Sequence, residues 1–149
     1  MHRKVKVMQI KSYDNHIDLI GFYKENGLEF DEDFNYISSP LFSYVIQDKG
    51  EIIGAITCSK IDNNFIIEAV AVNEKYRKSG MGKKLVIRAI NKMKQLDGKI
   101  IYLNSKEPLF FGKLGFKHEQ GKVNFFENCL NCPEYNITCF PRVMKYQIK

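Results

Sequence analysis

The 149-residue sequence has no tryptophan, only four prolines and only four cysteines. So few cysteines do not make a disulfide-dense scaffold, and Cys58, Cys129, Cys132 and Cys139 read as thiols or metal ligands. Ten glycines without a three-residue period exclude a collagen-like chain. No apolar run approaches the ~18–20 residues that a membrane-spanning helix needs. The first six residues are basic but lack the apolar segment of a secretory signal. The expectation is a soluble, cytoplasmic protein with no membrane partner. Acidic side chains are the scarcer charge, 17 against 23 basic ones, for a formal net charge of +6. That excess suits anionic partners: a phosphorylated cofactor, nucleic acid or an acidic protein. What is present is ordinary for a globular chain, with 44% hydrophobic and 27% charged residues, 11 Phe and 8 Tyr. The length suits one domain spanning residues 1–149.

There is no internal repeat and no low-complexity linker. Alternation over residues 4–10 predicts a first strand. Asp14 or Asn15 is placed to N-cap a helix through Ile17, Leu19, Ile20 and Tyr23, with Asn26-Gly27 as its left-handed stop. Residues 31–40 turn polar and predict a loop or a short helical turn. Two strands, 42–47 and 52–59, flank Asp48-Lys49-Gly50-Glu51, a hairpin signal. A second tight turn at Asp62-Asn63-Asn64 leads into residues 65–72, apolar on both faces except for Glu68. Such a strand belongs in the middle of a sheet covered on both sides. By strict alternation Glu68 shares a face with Ile66 and Val70.

Residues 82–96 switch to a helical period, with Met81, Leu85, Val86, Ala89, Met93 and Leu96 on one face. Asp97-Gly98 ends that helix, and residues 99–104 form the next strand. A strand, a helix and a strand in succession predict a parallel pair. Pro108 opens a short helix that stops at Gly115, and residues 142–148 form a last strand. The predicted class is α/β with a mixed sheet and flanking helices.

The most informative stretch is Val72-Asn-Glu-Lys-Tyr-Arg77-Lys78-Ser79-Gly80-Met81-Gly82-Lys83. A buried strand runs into a basic, glycine-bearing turn at which an amphipathic helix starts. Free N–H groups and the helix dipole favour an anion there, and Gly80 and Gly82 let a pyrophosphate approach the backbone. Arg77, Lys78 and Lys83 add charge. The spacing matches neither the P-loop nor the dinucleotide fingerprint, which argues against ATP and NAD. The alternative is a plain helix start beside a solvated basic face. Lys83-Lys84 and Lys92-Lys94 read as such a face, or as attraction for the 3′-phosphate of a cofactor.

Arg77-x-x-Gly80-x-Gly82 after Glu68-Ala-Val-Ala-Val72 resembles the acetyl-CoA motif of the GCN5-related N-acetyltransferase (GNAT) superfamily. Glu107-Pro-Leu-Phe110-Phe111-Gly-Lys-Leu-Gly-Phe116 resembles that family's later FY-x-K-x-GF segment. The resemblance implies acetyl-CoA as co-substrate, with its pantetheine arm between two splayed parallel strands. Val70, Val72 and Asn104 would then face that arm. The pyrophosphate would rest on Lys78, Ser79, Gly80, Met81, Gly82 and Lys83, with Arg77 and Phe111 nearby. It implies an N-acetyltransferase working by direct attack of a primary amine.

Glu68 is the one carboxylate in its strand and has two readings. It is a general base with a pKa raised by burial, or it pairs with a cation or orients the acceptor. The family's usual acid, a tyrosine, is Phe111 here and has no proton to give. Tyr102 and Tyr135 are conceivable substitutes, and no acid is assigned. Cys129-x-x-Cys132 with Cys139, completed by His118 or Cys58, would suit zinc, but three reduced thiols are the favoured reading and no metal site is assigned. The same tail resembles acetylglutamate-synthase-like amino-acid acetyltransferases, which points to a small amine or amino acid as acceptor. A non-catalytic acyl-CoA-binding module and an acetyltransferase of protein amines are the alternatives. Nucleic acid is disfavoured, for the strands lack interleaved aromatic and basic residues. A monomer and a homodimer are both compatible with the sequence.

Overall fold

Two turns of left-handed backbone organise the centre of the sheet. In the computed structural model, which describes residues 8–28, 40–119 and 142–149, β2 (Pro40–Asp48), β3 (Glu51–Ile61) and β4 (Asn64–Val72) follow one another as antiparallel neighbours. Lys49 and Gly50 link the first pair at φ 53° and 80°, and Asp62 and Asn63 link the second at 49° and 70°. Positive φ at both central residues matches the right-handed strand twist, which is why short hairpins favour it. Both turns were legible as sequence; the strands run one or two residues longer than predicted.

Helix α2 (Met81–Gln95) carries the chain from β4 to β5 (Ile100–Ser105), and the two strands are parallel as predicted. Helix α3 (Pro108–Lys113) follows, with Pro108 in its first turn. A two-residue strand, β6 (Lys117–His118), opens the stretch after residue 116 that reads as irregular β in the sequence; it pairs with β7 (Arg142–Gln147), which lies against β5. Among the described residues one sheet runs β1 (Ile10–Ser12)-β2-β3-β4-β5-β7-β6.

The first strand is corrected. β1 is Ile10–Ser12, paired with Tyr44 to Ile46 of β2, rather than residues 4–10. Residues 4–7 lie outside the described part, and Met8 and Gln9 precede the pairing. Helix α1 (Asp18–Glu25) begins later than expected, with Ile17 at the N-cap position. Asn15 still serves the start, since its Oδ1 accepts the Asp18 N–H at 3.2 Å. Gly27 ends α1 at φ 97°, as predicted.

The helices cover both faces of the sheet. On one face Leu85, Val86, Ala89 and Met93 of α2 and Phe111 of α3 pack on Ile46, Ile56, Cys58, Phe65, Ile67, Ile101 and Leu103. Each fully buried aliphatic there contributes roughly 1.5–3 kcal/mol. Leu96, expected on this face, sits past the helix end and is 41% exposed. On the other face Leu19 and Tyr23 of α1 pack on Val45, Ala55, Ala69 and Ala71. A row of hydroxyls also lies under α1. Ser43 Oγ meets Thr57 Oγ1 at 2.7 Å, Thr57 meets Tyr23 OH at 2.7 Å, and His16 Nδ1 reaches Ser43 at 2.7 Å. Buried hydroxyls need such partners, and this row fixes how α1 sits on the sheet.

Candidate functional site

β4 and β5 are hydrogen-bonded neighbours only briefly. Their register covers Phe65 with Ile101, Ile66 with Tyr102 and Ile67 with Leu103, and stops there. Beyond it β4 continues to Val72 and β5 to Ser105. The result is a cleft between two splayed strands at the middle of the sheet, each presenting backbone groups to it. At the point of separation stands Asn104, whose Oδ1 is buried without a hydrogen-bond partner. A buried amide oxygen left open is costly, so the position is suited to a ligand that donates to it.

Separation coincides with a β-bulge. Cys58 pairs with Ile67 and Thr57 with Ala69, so Glu68 is an extra residue of β4 with no partner in β3. A bulge reverses the alternation beyond it. Phe65 and Ile67 face α2, but so do Val70 and Val72, whereas Ala69 and Ala71 face α1. The alternation argument is therefore corrected: Glu68 does not share a face with Val70. Its carboxyl lies toward α1, hydrogen-bonded by Ser59, which stands opposite Ile66 on that side. Burial pushes the Glu68 carboxyl above the ordinary carboxylate range, and the Ser59 hydrogen bond pulls part of the way back. Sequence reasoning missed Ser59, although Thr57 and Ser59 recur at strand spacing within an apolar run.

At the far end of β4 the chain turns through Asn73 and one 3₁₀ turn, Glu74–Tyr76, into α2. Asn73 Oδ1 accepts the Lys75 N–H at 3.0 Å, and Tyr76 OH donates to Asp48 Oδ2 at 2.7 Å, bracing the turn against the first hairpin. Lys78 and Gly80 have left-handed backbone, φ 65° and 83°, and Ser79 Oγ donates to the Tyr76 carbonyl. Gly80 is the N-cap of α2 and no side chain caps the helix. The first backbone bond of the helix runs from Lys84 N–H to the Gly80 carbonyl. The N–H groups of Met81, Gly82 and Lys83 therefore precede the helical ladder and form an anion cradle. A Cβ on Gly82 would lie 3.3 Å from Phe110 Cζ and 3.8 Å from Val72 Cγ2, so its glycine keeps helix and strand close.

The remaining predicted residues fall on both sides of this arrangement. Met81 is partly buried against the α2-side core, and Lys78 and Lys83 are exposed. Arg77 points back from the turn: Nε–H donates to the Val72 carbonyl at 3.1 Å and Nη2–H to the Asn26 carbonyl at 3.2 Å. Phe111 is buried edge-on between Phe110 and Phe116, with centroids at 4.9 and 5.6 Å. Lys83 and Lys113 rim a groove of about 320 Å³ between α2, α3 and β7, lined also by Ile87, Ile90, Leu114 and Tyr146.

Cys58 is fully buried, and burial pushes its thiol well up, with the Glu68 charge adding to the effect. It stays a protonated core residue. His118 is exposed on β6, with three strands between it and β3, so the structure does not bring it to Cys58. Cys129, Cys132, Cys139 and Tyr135 lie outside the described residues. Among the described residues no cluster of His, Cys, Asp or Glu would hold a metal ion. No helix among them is long and apolar enough to cross a membrane.

Residues 8–116, which contain the cleft, the bulge and the glycine turn, match the acetyltransferase (GNAT) family. The chain belongs to that family. The GNAT fold is shared with solved structures at low identity. A Bacillus subtilis acetyltransferase in complex with CoA is 20% identical, with a TM-score of 0.71 over 96% of this chain and 100% of that one. A ribosomal-protein alanine N-acetyltransferase from Escherichia coli is 16% identical, with a TM-score of 0.69 over 96% and 95%. The N-acetylglutamate synthase of Neisseria gonorrhoeae, complexed with coenzyme A and N-acetyl-glutamate, is 16% identical with a TM-score of 0.71. It aligns with 98% of this chain but only 36% of its own. No curated protein matches the sequence. As a GNAT chain, it has the fold of an acetyltransferase family.

Proposed function

We propose that this GNAT chain is an N-acetyltransferase that moves an acetyl group from acetyl-CoA directly to a primary amine of a small molecule or amino acid. The observation that carries the reading is the cleft where β4 leaves β5, with Asn104 Oδ1 unsatisfied on one side and the bulged Glu68 on the other. Acetyl-CoA supplies an activated thioester. Its pantetheine arm fits the cleft edges at Val70, Val72 and Asn104, where open backbone groups donate and accept hydrogen bonds and the Asn104 oxygen accepts one. Its pyrophosphate suits the uncapped amides of 81–83, with Lys78, Ser79 and Gly80 shaping the turn. Lys83 and Lys113 offer positive charge to the nucleotide end along the groove beside α2.

Glu68 is the general base. Its carboxyl faces α1, so the amine enters from that side of the sheet and the acetyl donor from the cleft. The amine nitrogen forms a bond to the carbonyl carbon, the carbon–sulfur bond breaks, and Glu68 takes the amine proton. Phe111 offers no hydroxyl, so the sulfur departs as thiolate without a proton from α3. Cys58 is sealed in the core and takes no acyl group, which favours direct transfer. An amino-acid acceptor has the support of the acetylglutamate-synthase-like tail, and protein amines are the alternative acceptor class.

One observation favours a second reading, a non-catalytic acyl-CoA-binding module: an apolar side chain where the family's acid stands. Mass spectrometry of mixtures with acetyl-CoA and a panel of amino acids, polyamines, aminoglycosides and peptide N-termini separates the two. An acetylated product above the enzyme-free rate supports the transferase. Bound acetyl-CoA with no product from any acceptor supports the module.

A further inference from the structure

Helix α1 has eight residues, too few to be stable alone, so its place on the sheet depends on what holds it. Its inner face is held by the Tyr23–Thr57 hydrogen bond and by Leu19 packing near Ala69 and Ala71. Its C-terminal end is held by Arg77, which lies 51 residues further along the chain and donates to the Asn26 carbonyl. The same guanidinium donates to the carbonyl of Val72, the last residue of β4. One rigid fork, on the residue just before the phosphate turn, thus spans the end of the acceptor-side helix and the end of the strand that carries Glu68. Cationic donors are favoured at helix C-termini, where carbonyls lack partners. A lysine at this position has the charge but no fixed pair of donors. Lys78 and Lys83 remain exposed at the turn, so an anion there does not need Arg77.

We propose that Arg77 is a positioning residue that couples occupation of the 78–83 turn by a diphosphate ligand to the seating of α1 over the Glu68 face. The proposal rests on the cofactor reading above. A ligand on the turn immobilises the backbone next to Arg77, and the fork passes that constraint to Asn26. The acceptor side of the sheet is then ordered once the donor is bound.

Hydrogen–deuterium exchange on the full chain, with and without coenzyme A, tests this in the wild type, Arg77→Ala and Arg77→Lys. Coenzyme A slows exchange several-fold in two separate segments of the wild type, the 79–86 amides and the 19–28 amides. In both variants the 79–86 protection persists and the 19–28 protection is lost. Arg77→Lys keeps the charge and serves as the folded comparison should Arg77→Ala lose structure. Protection of 79–86 without protection of 19–28 in the wild type overturns the coupling and leaves the cofactor reading intact. Loss of coenzyme A binding in Arg77→Lys shows the guanidinium to be a phosphate ligand and overturns the proposal. Full α1 protection in Arg77→Lys shows that charge alone suffices, with the same consequence. No protection anywhere in the wild type overturns the coupling and the cofactor reading together.

Discussion

Glu68 is held between two opposed demands, burial that favours its acid form and a hydroxyl that favours its base form. Acting as base, it has to be ionised, so activity rises with pH through a value above the ordinary carboxylate one. Glu68→Gln is expected to lower kcat/KM by roughly 10²–10⁴-fold while coenzyme A affinity is kept. The acidic limb of the pH–rate profile is then expected to vanish from the residual rate. A stopped assay across pH, paired with calorimetric binding of coenzyme A, reads both. Unchanged turnover in the variant would remove the base from Glu68.

The same carboxyl makes a stability prediction of definite sign. A folded-state pKa above the unfolded one means that the folded protein binds the proton more tightly. The contribution is full below the unfolded value and is lost as pH rises through the raised one. The wild type should therefore lose ground to Glu68→Gln as pH rises from the ordinary carboxylate range through the raised value, where the variant has no proton to release. Melting temperatures of the two proteins over that range measure the difference, and parallel curves would contradict it. Sequence alone pointed to Glu68 as the lone carboxylate of its strand, but not to its face. On a strand apolar on both sides, an inserted residue leaves no mark in the pattern. The bulge is visible only in the pairing of Thr57 with Ala69 and Cys58 with Ile67.

Among the elements, those with strong local chemistry were readable and those defined by distant partners were not. The two hairpins announced themselves through Lys49-Gly50 and Asp62-Asn63, and α2 through its apolar period and its glycines. β1 and β6 are short edge pieces whose existence depends on β2 and β7, so nothing in their own residues specifies them. The Arg77–Asn26 contact is likewise beyond local patterning. The exit from α2 is an element-scale test of packing. Gly98 donates to the Met93 carbonyl at 2.8 Å, and a Cβ there would lie 2.6 Å from the Phe65 ring and 2.9 Å from the Met93 carbonyl oxygen. Gly98→Ala has to move a buried ring or the helix end. Overpacking of this kind costs about 1–3 kcal/mol. Denaturant titration is the check; an unchanged midpoint would mean that the α2–β5 connection yields freely.

At the scale of the whole molecule, the sheet is two pieces, β1 to β4 and β5 to β6, joined by three parallel pairs. Helices α2 and α3 span the join on one face. A ligand that fills the cleft substitutes for the missing pairing, so it should strengthen the fold as well as occupy it. At about 100-fold excess over its Kd, coenzyme A is expected to add about 2.7 kcal/mol of stability. The rise in melting temperature should grow with ligand concentration. Pantetheine without the phosphates should give less, because it leaves the 81–83 amides unused. An equal effect of both compounds would detach the glycine turn from binding.

The bulge also makes the site depend on how β4 is laid down rather than on which residues it carries. Side chains along β4 can be exchanged one at a time, and the cleft keeps its lining, since Val70 and Val72 still face the same way. Removing one residue between Phe65 and Val72 is a different kind of change. With Glu68 gone, Ile67 and Ala69 become ordinary neighbours in the alternation, and Val70 and Val72 keep facing α2. Straightening β4 at its present length would instead turn Val70 and Val72 toward α1 and carry Ala69 and Ala71 into the space beside α2. Glu68 can thus be lost by substitution or deletion while Val70 and Val72 keep their face, but loss of the bulge at constant length disturbs both.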